Sequence, residues 1–376
     1  MRRIILNYKK KYKCVHIVYQ AGAGFISNLI SFFNNDFNDS LSRKNLWVTR
    51  SSEIYEKFKD SCDIVYSESN EIRMINKYGL LGEFVFVHGL HSNGFTLLKI
   101  NPSLVKHILW RTWGHDINIP SPHPTNLFKT IYRYFSFWLF RQITGRFFMI
   151  GSANIVDDLK LYDIYGGKQR IIRMPYSKPE KDRELTISYL QKKINKTDNI
   201  TRVMVGHSGY PIDKHIEIID SVSAFVNNNV LFYIMLPYGE AEYIDRVSQY
   251  ANKVLGERCV VVRNKLPYGE YVDFIQTIDI AIMGMENSAA LGNLSLLVYF
   301  KKKIFLNPSS DIARGFDQSN IPYCDIDLIE KMEFPDFIMP YNYDENSIKL
   351  YVPSFYDASY SKKQWDRIMS ILNNEL

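Results

Sequence analysis

Cysteine is scarce. The 376 residues hold four, Cys14, Cys62, Cys259 and Cys324, with no C-x-x-C pair and no Cys/His cluster at zinc spacing. That argues against a structural metal or a disulfide framework and suits a reducing cytoplasm. Long apolar runs are missing too: none approaches the roughly 18 residues that a membrane-spanning helix needs. The basic segment 1–13 leads into an apolar stretch broken by His16, Gln20 and Asn28, without a small-residue cleavage site, so no signal peptide is expected. Neither charge dominates, with 46 Lys and Arg against 40 Asp and Glu for a net +6. That balance suits an anionic small molecule or an anionic membrane surface and does not argue for nucleic acid. There is no internal repeat, no low-complexity tract, no Walker A motif and no G-x-G-x-x-G. Without that fingerprint and its acidic partner, a nicotinamide oxidoreductase is disfavoured.

What is present is aromatic bulk and α/β alternation. Tyr and Phe number 26 and 23, an aromatic share of 14%, explained by a bulky core or by carbohydrate-facing surfaces. In the first half, strands are predicted at 14–20, 46–49, 63–67, 83–88, 108–113, 146–151 and 170–174, with helices at 25–33 and 126–143. In the second half, strands at 202–206, 230–236, 259–263, 279–284 and 303–306 alternate with helices at 214–226, 241–254, 269–277 and 288–299. A last helix falls near 361–373. This spacing means parallel βαβ units. The charged stretch 177–199 reads as an interdomain connection. The predicted organisation is α/β, with two Rossmann-like domains facing across a cleft: residues 1–180, residues 181–335, and a tail at 336–376 that packs back on the first domain.

Ligands of open α/β sheets bind beyond the carboxyl ends of strands. V-G-H-S-G-Y-P-I-D-K-H-I-E at 205–217 offers Gly206, Ser208 and Gly209 in a tight turn, Asp213 as a helix N-cap, and His215 as a ring N–H donor to a diphosphate. A plain βα turn explains the glycines equally. Arg263 and Lys265 follow the 259–263 strand; they are either cations for a diphosphate leaving group or a solvated basic loop. In G-M-E-N-S-A-A-L-G, Glu286 and Asn287 suit sugar hydroxyls and Ser288 suits a helix cap, with Gly292 and Asn293 following. Asp325-Ile326-Asp327 reads as a loop coincidence rather than a metal-diphosphate motif.

In the first half, A-G-A-G brings Gly22 and Gly24 after the first strand, H-G-L-H begins at His88, and W-R-T-W-G-H-D spans 110–116; Gly22, Gly24 and His88 are candidate acceptor-side residues. Asp116 or His115 is the candidate general base toward an acceptor hydroxyl. Trp113 is a stacking platform or a buried ring, and Gly114 shapes the same loop. His88 and His91 have no third ligand, so no metal is expected. The stretch 126–149 interleaves Lys129, Arg133, Arg141 and Arg146 with aromatic and aliphatic residues. That composition fits a helix lying in a membrane interface, or a crossover helix with solvated basic ends.

The 205–217 segment resembles V-G-N-S-G-D-x-S-N-x-H-I-x of the bacterial 4-acetamido-4,6-dideoxygalactose (Fuc4NAc) transferases of enterobacterial common antigen synthesis, glycosyltransferase family 56. F-V-H-G at 86–89, W-x-x-W-G-x-D at 110–116, L-P-Y-G at 236–239, K-L at 265–266, G-N-L-S-L-L at 292–297, F-L-N at 305–307 and Y-x-x-x-W ending at Trp365 agree in the same order. The resemblance implies a GT-B fold, a dTDP-sugar donor and no cofactor or catalytic metal. It also implies a polyprenyl-diphosphate-linked oligosaccharide acceptor and a peripheral place on the cytoplasmic face of the bacterial inner membrane, in surface polysaccharide synthesis. It carries Gly206, Ser208, Gly209, His215, Lys265, Gly292 and Asn293 to the donor side, and Trp113, Gly114 and Asp116 to the acceptor side. A non-catalytic two-domain sugar- or nucleotide-binding protein is the alternative; such proteins usually carry an export signal.

Overall fold

The structure, a computed structural model, describes residues 10–20, 23–36, 45–118, 120, 125–175 and 177–374. The chain divides into two compact units, residues 1–183 with 359–376, and residues 184–358.

The first unit is built on one parallel sheet. Its strands are β1 (Tyr12–Val18), β2 (Asn45–Thr49), β3 (Ile64–Tyr66), β4 (Gly82–His88), β5 (Ile108–Arg111), β6 (Met149–Ser152) and β7 (Ile171–Arg173). They run in the order β3-β2-β1-β4-β5-β6-β7. A parallel strand covered on both faces needs apolar side chains on both faces, and β1 is buried at every position. One face is covered by helices that supply Ile72, Ile75, Phe140, Leu161 and Ile164. The other is covered by helix Ala23–Asn35 and the C-terminal helix Tyr360–Asn374. The winding reverses between β1 and β4, the switch point at which open sheets of this kind bind ligands.

The second unit has a six-stranded sheet. Its strands are β8 (Thr201–Val205), β9 (Val230–Met235), β10 (Cys259–Val262), β11 (Ile280–Met283), β12 (Lys303–Leu306) and β13 (Cys324–Asp325). Their order is β10-β9-β8-β11-β12-β13, so the reversal falls between β8 and β11. The two-residue β13 is absent from the sequence reading because nothing so short has a period. Asp325 of D-I-D accepts the Asp327 amide at 2.9 Å and caps the following 3-10 turn, a local structural use.

The division between units falls at 183 and 358 rather than at 180 and 335. After β13 the chain keeps to the second sheet: Ile348 and Val352 enter its core, and Tyr343 Oη donates to the Lys302 carbonyl at 2.6 Å. Only the helix Tyr360–Asn374 belongs to the first unit. Its buried residues Ser361, Trp365, Ile368, Met369 and Leu372 recur at helical spacing. Trp365 has no exposed surface, and its Nε1 donates to Ser177 Oγ at 2.9 Å.

Trp365→Ala removes a fully buried indole and takes from the buried Ser177 hydroxyl its Nε1–H donor. The expected loss is about 3–5 kcal/mol in the first unit. Native-state hydrogen exchange of the β1 and β4 amides reads this directly; protection unchanged there would refute a core role for the helix.

Candidate donor and acceptor surfaces

In the second unit, the loops after β8, β9 and β11 meet beyond the strand ends. Gly206 has φ +67°, and its N–H donates to the Ile282 carbonyl of β11 at 3.0 Å. A Cβ at Gly206 would stand 2.3 Å from His215 Nε2, so only glycine fits there. Gly209 donates its N–H to the Tyr238 carbonyl at 2.5 Å, and Glu240 N–H returns to the Gly209 carbonyl at 2.9 Å. The β8 and β9 loops thus join backbone to backbone. On the other side, Lys214 Nζ pairs with Glu286 of the β11 loop at 2.6 Å. A cavity of about 340 Å³ opens nearby, lined by Lys214, Glu217, Gly284, Asn307, Asp327 and Lys331 among others.

Asp213 organises the turn. It has no exposed surface. Its Oδ2 accepts the Ser208 amide at 2.9 Å and the Ser208 hydroxyl at 2.6 Å, and its Oδ1 lies 2.7 Å from His207 Nδ1. A buried carboxylate needs such donors to repay its desolvation.

Several expectations change here. Asp213 does not cap the next helix; Lys214, at φ +51°, occupies that place without a side-chain bond. The Ser208 hydroxyl proton is committed to Asp213 rather than held out to a ligand. His215 has no exposed surface. Its Nδ1 lies 3.3 Å from Tyr243 Oη, burial holds its pKa below the usual histidine value, and it supports Gly206 instead of facing a ligand.

The two cations after β10 part company. Arg263 turns to helix Ala241–Leu255 and donates to Asp245 Oδ1 at 2.8 Å and Ser248 Oγ at 2.9 Å. Lys265 Nζ lies 4.9 Å from the centre of the Tyr238 ring, at the Gly209–Gly239 junction. Glu286 and Asn287 are exposed, the former against Lys214. Ser288 does not cap the helix Leu291–Tyr299; Ala290 does, at φ +53° and without a side-chain bond. Gly292 is exposed and Asn293 half-buried in its first turn.

In the first unit, the loops after β1, β4 and β5 converge in the same way. Asp116 Oδ2 accepts Leu90 N–H at 3.0 Å and Trp110 Nε1–H at 2.9 Å, while Oδ1 accepts Trp113 N–H at 2.8 Å. Three donors on one carboxylate tie the β4 and β5 loops together, a positioning part in place of a free proton acceptor. Trp113 is half-buried, with Phe25 edge-on at 6.1 Å. Gly114 has φ +85°. Gly24 is exposed in the first turn of its helix. Gly22 lies outside the described residues, as does the His115 side chain.

His88 is in the core. Its Nε2 lies 2.9 Å from His16 Nδ1, and the His16 ring stacks on Trp47 at 4.0 Å. Burial pushes His16 down to about 3 and His88 well below its usual value, so the pair is neutral.

The sequence reading passed over two buried carboxylates. Glu71 accepts the His91 and Ser92 amides at 3.2 and 2.9 Å, and burial pushes its pKa up. Asp157, pushed up to about 6 mainly by burial, accepts Asn154 Nδ2 at 2.8 Å. The only signal for either was an Asn one or three residues ahead that caps a helix.

Helix Leu127–Thr144 buries Ser136, Phe140 and Thr144 and exposes Leu127, Phe128, Ile131, Tyr132, Tyr134, Phe135 and Trp138. Lys129, Arg133, Arg141 and Arg146 are exposed, and Arg141 donates to the Ile164 carbonyl. Among the described residues, no helix is long and apolar enough to cross a membrane, and no group of three His, Cys, Asp or Glu could hold a metal ion.

Two doubly wound parallel-sheet units are the architecture of GT-B glycosyltransferases. Solved structures share the fold across nearly the whole chain. A glycosyltransferase from Rickettsia africae matches at TM-score 0.57 and 11% identity, covering 97% of this chain and 98% of its own. A UDP-forming trehalose-phosphate synthase from Burkholderia vietnamiensis matches at TM-score 0.56 and 12% identity, covering 96% and 100%. A trehalose-6-phosphate protein from E. coli bound with UDP-2-fluoro glucose matches at TM-score 0.54 and 11% identity, covering 96% and 98%. The family model described as 4-alpha-L-fucosyltransferase, glycosyl transferase group 56, matches residues 25–371. The chain belongs to that family.

Gly206→Ala forces a left-handed alanine against His215. We expect a loss of roughly 2–4 kcal/mol in the second unit, the sum of about 1 for the backbone and 1–3 for overpacking. Hydrogen exchange at the β8 and β11 amides measures it, and a neutral substitution would contradict the stated contact.

Proposed function

We propose that this glycosyltransferase moves a Fuc4NAc-like deoxyamino sugar from a dTDP donor to a polyprenyl-diphosphate-linked oligosaccharide at a membrane surface. The observation that carries the donor half is the junction of the β8 and β9 loops, with Lys265 beside it. The helix Leu291–Tyr299 adds an N-terminus without a side-chain cap in the same unit. As the glycosidic bond breaks, charge collects on the departing diphosphate. A fixed cation and oriented amide dipoles stabilise that charge more than they stabilise the bound donor. On the acceptor side, Asp116 holds Trp113 and the 88–91 loop in register for the incoming hydroxyl.

The test is a thermal-shift and calorimetric screen with dTDP, UDP, GDP and CMP. A ligand of the native state stabilises it by about 2.7 kcal/mol at one hundred times its Kd. A response to dTDP well above the other three is expected, and Lys265→Ala should weaken dTDP binding by roughly tenfold or more, as for one charged contact. Equal responses to all four would remove the dTDP assignment.

The membrane half rests on the exposed aromatic face of helix Leu127–Thr144 with Lys129 and Arg133 among its rings. Cations with aromatic and aliphatic neighbours match an anionic lipid surface, and each cation there contributes about 1 kcal/mol. Co-sedimentation with phosphatidylglycerol vesicles should fall roughly fivefold per charge removed in Lys129→Gln and Arg133→Gln, and it should weaken in high salt. No partition in the parent protein would refute it.

A further inference from the structure

The environment of His207 has a consequence for how a diphosphate is held, which rests on the donor reading above. We infer that His207 binds the donor diphosphate through Nε2 as an imidazolium, taking up a proton from solvent as the anion arrives.

Asp213 is an acceptor without surface exposure, and its Oδ2 is filled by two Ser208 donors. The Oδ1 contact at 2.7 Å therefore requires hydrogen on His207 Nδ1. That fixes which ring nitrogen faces the carboxylate. It also fixes the ring, which is 8% exposed. Nε2 makes no hydrogen bond among the described residues, and it is not among the buried side-chain atoms without a partner, so it reaches the surface of the unit. It does so just beyond β8, with Tyr238 edge-on at 6.4 Å and Lys265 over that same ring. Buried His215 of the next helix, the Tyr210 and Tyr238 hydroxyls, Lys265, and the Lys214–Glu286 pair are the other titratable groups around it.

In the neutral ring, Nε2 offers a lone pair, which a phosphate oxygen repels. Protonated, it offers an N–H to that oxygen while Nδ1–H stays on Asp213, so one cation sits between two anions. No covalent bond changes; one proton moves from solvent to the ring. Asp213 thus acts through His207, as a positioning residue.

Calorimetric titration of the full chain with dTDP and with dTMP, near pH 7.5 in buffers of differing ionisation enthalpy, reads the proton directly. The parent protein should take up protons as dTDP binds, at most about one per dTDP, which is all that a single ring can accept. His207→Asn keeps a donor for Asp213 but cannot ionise. It should abolish the uptake and weaken dTDP roughly tenfold or more, with a much smaller change for dTMP, because one charged contact is lost. Asp213→Asn should diminish the uptake. His207→Gln and Asp213→Asn carry the test if His207→Asn does not fold. Uptake and affinity unaltered in His207→Asn would overturn the inference alone. A parent protein that binds no nucleoside diphosphate would overturn the donor reading, and this inference with it.

Discussion

The geometry of the strand-end loops of the second unit depends on one buried charge. Asp213 has no contact with solvent and lies five residues beyond Ser208, yet it accepts both the amide and the hydroxyl of that serine. This closes a loop that would otherwise be free after β8. With the loop closed, Gly206 is set against His215, Gly209 is set against Gly239, and Lys214 reaches Glu286. The last two of these contacts join the loops after β9 and β11, the two neighbours of β8 in the sheet. A carboxylate buried with three donors is costly to form and more costly to break, which makes it suited to holding a loop in one shape.

The first unit uses the same device with a different acid. Asp116 collects two backbone amides and an indole N–H, and Glu71 collects two further amides from the loop after β4. In both units the loops next to the winding reversal are held by carboxylates that face inward. Rigid loops on a rigid sheet hold a substrate to the tolerance that group transfer needs, because small displacements of reacting atoms cost large factors in rate. The histidine pair His16 and His88 belongs to this scaffold; buried among Trp47 and Phe86, it is neutral and fills volume.

Much of the scaffold was legible in the sequence, and the reason is physical. Buried parallel strands must be apolar on both faces, so E-F-V-F-V-H or V-L-F-Y-I-M-L can be little else. Strand ends slid by a residue or two, as β1 did, because pairing stops where partners stop. The glycine turn at 206–209 was legible as a turn. The partners of its side chains were not. Asp213 sits where a cap would sit and bonds backward instead; Arg263 and Lys265 are two residues apart and diverge because Asp245 and Ser248 lie within reach of one alone. Such choices are set by residues distant in the chain, and no local pattern encodes them. The helix Leu127–Thr144 was readable as basic and aromatic, but that Arg141 is tied to the fold through the Ile164 carbonyl depends on a neighbouring helix.

The closure of the 206–209 turn also constrains how it can serve a diphosphate. Glycine-rich turns commonly meet phosphate with their own amides. Here the Gly206 N–H is spent on Ile282, the Ser208 N–H on Asp213 and the Gly209 N–H on Tyr238. A donor bound at this corner must therefore be met mainly by side chains on the turn's rim and by the helix N-terminus at Leu291–Asn293, and the glycines serve close backbone approach between strand-end loops. On the proposed donor reading, that moves part of the recognition of charge from the turn's own amides to the individual groups His207 and Lys265, which single substitutions remove one at a time.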